Sequence, residues 1–223
     1  MRLLRLLLAT LLLGADVCLV AAQPRIDERG FTSAVSERLI EAYARRFGDD
    51  ARGRLVAWKR YAAEHRASRA AEMQLLLDVN RTLNRLRFVD DLSHWGEVDY
   101  WATPAESVAS GGGDCEDFTI AKYFLLKELG VPIERLRMTY VKALRLNQAH
   151  MVLAYYPRPD ADPLVLDNLE DSVRPASERP DLVPVYSFND EEVWIEARGR
   201  SGSPTQLRNW KRLMERLEQE LRT

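Results

Sequence analysis

Cysteine is scarce in this chain: 223 residues contain two, Cys18 and Cys115. Charge of one sign is lacking as well. The 32 basic and 34 acidic residues nearly cancel to a formal net charge of -2, which leaves no electrostatic footprint for a phosphate backbone and argues against nucleic acid as a partner. No apolar run reaches the roughly 20 residues of a membrane span, and neither an internal repeat nor a low-complexity linker divides the chain. What is present is 46% hydrophobic content, enough to bury a core, and the expectation is a single domain.

The first residues read as an export signal. Arg2 and Arg5 supply positive charge, Leu3 to Leu13 is largely leucine and alanine, and Val20-Ala21-Ala22 offers small residues ahead of a cut before Gln23. The expected organisation is a signal peptide over 1–22, with an uncleaved anchor as the alternative, followed by one domain over 23–223. The residues before Cys18 are too polar and too large for lipoprotein processing. Cleavage removes Cys18, so the exported protein has no internal disulfide, and a single cysteine in an oxidising compartment is flagged as a reactive thiol.

Helical spacing of apolar residues marks Glu37 to Phe47, with Gly48 as a stop, and Asp49 to His65. Ser68 is read as the cap of a third helix carrying Met73, Leu75, Leu76, Val79 and Leu83. Val89 to Pro104 is rich in aspartate and aromatics, and its rings are expected to wall a cleft. His94 in this loop is read as a surface residue. Cys115 to Leu129 is helical and apolar on most sides, with Gly130 and Pro132 ending it. Strands are expected at Met138 to Val141, Met151 to Tyr156, Leu164 to Leu166, Val183 to Phe188 and Val193 to Ile195. Pro204 to Arg222 is an amphipathic helix, expected to dock on the body. Helices first and a sheet second make an α+β domain of two lobes.

The stretch with the most chemistry is Gly111-Gly112-Gly113-Asp114-Cys115-Glu116-Asp117-Phe118. With Asp114 as N-cap and Asp117 at the third position, the pattern reads as a capping box, with Cys115 at the first helical residue. A helix N-terminus favours both a thiolate and an oxyanion, and Gly113 is read as keeping the approach uncrowded. Three carboxylates around a thiolate oppose its ionisation. Something cationic should offset them, either an imidazolium or a hard divalent ion such as calcium. His150 heads an apolar strand and Asp167 ends the next, so antiparallel pairing brings a base and its orienting carboxylate together. Trp95, Trp101 and Gln148 are the side chains considered for helping backbone N–H groups at the oxyanion.

Tyr100-Trp101-Ala102-Thr103-Pro104, Gly113-Asp114-Cys115-Glu116-Asp117-Phe118, Leu129-Gly130-Val131-Pro132, Asn147-Gln148-Ala149-His150-Met151-Val152-Leu153 and Val165-Leu166-Asp167-Asn168 together resemble the bacterial transglutaminase-like cysteine proteinases, the LapG-type periplasmic proteases among them. The resemblance implies a papain-like or transglutaminase-like fold with a Cys115, His150, Asp167 triad. It further implies Ca2+ dependence with ligands at Asp114, Glu116 and Asp117. As substrate it implies a large repeat-containing surface adhesin, cut in its N-terminal region at an Ala-Ala pair so that biofilm disperses. As partner it implies an inner-membrane, LapD-like receptor for cyclic di-GMP. A transglutaminase using the same triad, and a calcium-dependent binding module with an inert thiol, are the alternatives.

Overall fold

The computed structural model describes residues 30–68, 71–195 and 199–223, so the expected leader lies outside the described residues. The helical lobe comes first: α1 (Phe31–Ala34), α2 (Glu37–Phe47), α3 (Asp49–Ala67) and α4 (Glu72–Leu83). Ser36 caps α2, its hydroxyl accepting from the Leu39 N–H at 3.0 Å. Ser68 does the opposite of what its type suggested: it closes α3, donating its hydroxyl to the His65 carbonyl, and Ala71 precedes α4. A serine hydroxyl satisfies a terminal carbonyl as readily as a terminal N–H, so the residue type marks a helix end without its polarity.

The connection to the nucleophile region holds β1 (Arg87–Phe88), α5 (Asp91–His94), α6 (Pro104–Ser110) and β2 (Gly112–Gly113). Here the capping box belongs to α6: Glu106 N–H donates to the Thr103 hydroxyl at 3.1 Å, Thr103 N–H donates to Glu106 Oε2 at 3.0 Å, and Pro104 occupies the first turn. Next comes α7 (Cys115–Glu128), in which every residue from Asp117 to Leu126 is buried. Its all-round burial is what apolar residues on most faces demand.

The remaining strands are β3 (Leu136–Ala143), β4 (Gln148–Tyr155), β5 (Leu164–Leu166), β6 (Arg174–Pro175), β7 (Leu182–Phe188), β8 (Val193–Ile195) and β9 (Gly199–Gly202). They form one antiparallel sheet in the order β6-β5-β4-β3-β7-β8-β9. α7 lies against β4 and β3 with the helical lobe on its other side, so one core runs from Phe31 through Leu76, Phe124 and Leu153. No helix of the described residues is long and apolar enough to cross a membrane.

The last helix, α8 (Arg208–Leu221), docks as its stripe requires. Trp210, Leu213 and Leu217 are buried, each contributing about 1.5–3 kcal/mol of apolar burial. Near its end Glu220 is also buried and accepts hydrogen bonds from the Tyr43 and Thr103 hydroxyls. Burial pushes the Glu220 carboxyl up to about 7, against the lowering effect of those two hydroxyls. The folded state therefore holds a proton that the unfolded state releases between the ordinary carboxyl range near 4.5 and pH 7. Stability contributed by this group is full below that window and is lost as pH rises through it. Glu220→Gln is expected to flatten this part of the stability curve, measured by urea unfolding from pH 4.5 to 8.

Candidate active site

Two glycines bring the nucleophile loop into place. Gly111 ends α6 at φ +78°, a left-handed conformation that side chains disfavour. Gly113 serves a different purpose from the one its lack of a side chain suggested: an added Cβ would lie 2.3 Å from Asp117 Oδ2, so the space belongs to Asp117 rather than to an approaching substrate. β1 then pairs in parallel with β2, Arg87 with Gly112 and Phe88 with Gly113. That short ladder carries the 89–104 loop past Cys115.

Asp114 is the N-cap residue of α7, but its side chain makes no capping bond. The expected Asp114–Asp117 capping box does not form. Asp117 is instead turned to the preceding loop, accepting from the Ala102 N–H at 2.7 Å and the Trp95 indole N–H at 3.3 Å. Both carboxylates join a group assembled from two segments. Oxygens of Asp91, Asp114 and Asp117 lie within 4.8 Å of one another, and so do those of Asp91, Asp99 and Glu116. The three acids singled out by sequence thus fall into two overlapping sets, joined by Asp91. Asp91 and Asp99 were missed; their only signal was the density of aspartate in the 89–104 loop.

This cluster is electrostatically expensive by itself. Burial first, and then the neighbouring carboxylates, push Asp114 well above the usual carboxyl range, and burial does the same to Asp117. Asp91 rises to about 6, mainly through burial. Oδ1 of Asp91 and Oδ1 of Asp114 are buried without a hydrogen-bond partner. Unpartnered carboxyl oxygens in one buried acid cluster fit a hard cation of the calcium class, which takes carboxylate and carbonyl oxygens in flexible geometry and would favour their charged form.

Cys115 is half-buried at the first position of α7, its thiol donating to Glu116 Oε2 at 2.9 Å. Burial and the Glu116 charge push the thiol up, while the Met151 N–H opposes them. The Thr119 hydroxyl sits 2.9 Å from the Cys115 carbonyl and 3.1 Å from the Met151 carbonyl, tying the helix start to β4. The residue before Met151 is His150. Strands β4 and β5 pair Leu153 with Leu166, so Asp167 emerges just beyond the ladder and reaches back to His150. His150 Nε2 lies 2.9 Å from Asp167 Oδ1, with the two side chains 3% and 0% exposed.

Asp167 is held from several directions. Its Oδ1 also accepts from the Leu169 N–H at 3.0 Å, Oδ2 accepts from Arg179 Nη2 at 2.9 Å, and its backbone carbonyl accepts from Asn84 Nδ2 at 2.9 Å. Burial alone would raise its carboxyl; the His150, Leu169 and Arg179 hydrogen bonds outweigh burial and hold it below the usual range. Arg179 was not foreseen, since nothing in its local sequence separates it from a surface arginine.

Among the loop aromatics, the Trp101 indole N–H donates to Asp99 Oδ1 at 3.0 Å. With the Trp95 N–H engaged by Asp117, both indoles are committed to carboxylates, while Gln148, the third side chain considered for the oxyanion, is exposed at the start of β4. Tyr100 and Trp101 do wall a cavity of 330 Å³, shared with Asp99, Asn209 and Arg212. His94 is half-buried, its Nε2 2.9 Å from the Ser110 hydroxyl.

The pattern of the family described as bacterial transglutaminase-like cysteine proteinase, BTLCP, matches residues 54–201, more than half of the chain. The chain belongs to that family. Solved structures of Legionella pneumophila LapG are similar to this proteinase at 42% identity, covering 82% of this chain and 98% of that one, with a TM-score of 0.71. A calcium-bound form of that LapG matches at 42% identity over 82% and 99%, TM-score 0.70. An EGTA-treated form matches at 41% over 82% and 98%, TM-score 0.72. No curated protein matches the chain. The proteinase is a cysteine peptidase with the LapG-like, transglutaminase-like arrangement of helices and antiparallel sheet.

Proposed function

We propose that this cysteine proteinase is a calcium-dependent periplasmic endopeptidase that cuts a large surface adhesin in its N-terminal region at an Ala-Ala pair. Cutting releases the adhesin and disperses biofilm, and an inner-membrane, LapD-like receptor for cyclic di-GMP controls access to the enzyme. The observation that carries the reading is the buried His150–Asp167 pair, whose strand meets the start of the Cys115 helix beside the acid cluster. Support for the substrate and partner comes from the motif resemblance and from likeness to LapG at 42% identity over most of both chains. Periplasmic residence is proposed from the export-signal pattern expected over residues 1–22.

In this mechanism Asp167 accepts the Nε2–H of His150, which leaves Nδ1 as the nitrogen that takes the Cys115 proton. The thiolate attacks the scissile carbonyl. Backbone N–H groups at the start of α7, with the Gln148 amide, stabilise the oxyanion. His150 then protonates the leaving amine, and water activated by the same ring resolves the thioester. Asp91, Asp114, Glu116 and Asp117, with Asp99, would hold calcium; when bound, it supplies the counter-charge that carboxylates beside a thiolate need.

The decisive experiment incubates the purified protein with the N-terminal region of an adhesin from the same genome, with calcium or with EGTA, and reads products by mass spectrometry. One cut at an Ala-Ala bond with calcium and none with EGTA is expected. Isopeptide crosslinks in place of cleavage, or no reaction in either condition, overturn the proposal.

A further inference from the structure

We infer that Arg179 is a positioning residue for the proteolytic reaction, gripping one oxygen of Asp167 so that the other is committed to His150. This rests on the triad reading above. The segment carrying it is a 3-10 turn, Ala176–Glu178, followed by Arg179 as its C-cap. Ala176 of that turn, together with Leu182 at the start of β7, packs on the sheet face formed by Val141, Val152 and Val165. Arg179 itself is 7% exposed, uncommon for an arginine without a task.

The guanidinium is oriented from outside and used on the inside. Its Nε and Nη2 donate to the two oxygens of Asp181, both at 3.1 Å, a bidentate pairing that fixes the plane of the fork. Nη1 lies 3.5 Å from Glu170 Oε2. Nη2 is thereby directed at Asp167 Oδ2, 2.9 Å away. Asp167 then has its two oxygens divided: Oδ2 on Arg179, Oδ1 on His150 and the Leu169 N–H. A carboxylate free to turn about its terminal torsion would have no such division.

The other charged groups acting here are Lys122 on α7, buried at 1% exposure and acting on both Asp167 and Asp171, and Glu170 and Asp181 on the loops. A lysine at 179 would not substitute, because an ammonium lacks the planar fork that grips Asp181 and Asp167 together. The acid cluster around Cys115 shares none of these bonds. Arg179 therefore acts through Asp167 alone.

The test uses the full mature protein and the adhesin fragment, with Arg179→Gln, Arg179→Lys, Asp181→Asn and Asp167→Asn compared at saturating calcium. Arg179→Gln is expected to lower kcat by about 10- to 100-fold with KM little changed, as loss of orientation does. Asp167 loses a cation in that variant, so the acid limb of kcat/KM should move to higher pH. Arg179→Lys should recover little, and Asp181→Asn should show a smaller change in the same direction. In a fifth variant, Arg179→Ala, added guanidine should restore part of the activity. If Asp167→Asn is impaired while folded Arg179→Gln keeps the wild-type kcat and pH profile, the positioning role is overturned. Should Arg179→Gln fail to fold, an unchanged kcat and pH profile in Asp181→Asn overturns it equally. Wild-type cleavage by Asp167→Asn would instead sink the triad reading beneath it.

Discussion

Cys115→Ala is expected to lose cleavage by a factor of at least about 10⁴, the scale on which removal of a nucleophile acts in hydrolases of this mechanistic type. The protein should stay folded. Cys115 is only half-buried, its thiol meets just Glu116 and the Met151 N–H, and α7 is held by the buried run from Asp117 to Leu126. A small loss of side-chain contact at one helix end changes stability by about 1 kcal/mol or less. Thermal melting and product mass spectra on the same preparation separate loss of chemistry from loss of fold. Retained cleavage at an unchanged rate would remove Cys115 from the mechanism and with it the assignment of His150 as its base.

The second large effect belongs to a residue that sequence reasoning passed over. Asp91→Asn is expected to weaken calcium binding by about 10- to 100-fold, since one charged ligand is withdrawn from a site whose affinity follows ligand charge count. Asp91 is 3% exposed, contributes to both groups of acids, and has one buried oxygen without a partner. Its other oxygen accepts the Tyr100 N–H at 2.6 Å, so an asparagine keeping its carbonyl there preserves the loop while losing the charge. Isothermal titration with calcium alone measures the affinity without relying on activity. Wild-type protein at a calcium concentration 100 times its dissociation constant should gain about 2.7 kcal/mol of stability, and Asp91→Asn less at the same concentration. An unchanged calcium affinity in Asp91→Asn would take that residue out of the site.

The parts of the site readable from sequence are those at the ends of strongly patterned elements. Leu164 to Leu166 is the strand in the structure as in the sequence, so Asp167 was correctly placed at its exit. His150 lies in the β4 run and Cys115 at the head of an apolar helix. What was not readable depends on pieces too short to carry a period. β1 and β2 are two residues each, yet their pairing sets Asp91 beside Asp114. β6 is Arg-Pro and β9 is Gly-Arg-Ser-Gly, compositions with little strand propensity that follow neighbours already in the sheet. Asp117 was taken for a local cap because a sequence shows its neighbours in order and not Ala102 and Trp95, which compete for its oxygens.

The grip of Glu220 on Tyr43 and Thr103 joins positions 177 and 117 residues apart. Thr103 adjoins Ala102, whose N–H holds Asp117 two residues after the thiol. During synthesis from the N-terminus, Cys115, His150 and Asp167 all exist before the last turn of α8 does. The loop wall behind the thiol gains this support only once Glu220 has been made. Contacts of such sequence separation form late. A polypeptide that stops short of α8 carries Cys115, His150 and Asp167 without the Glu220 hydrogen bonds to Tyr43 and Thr103.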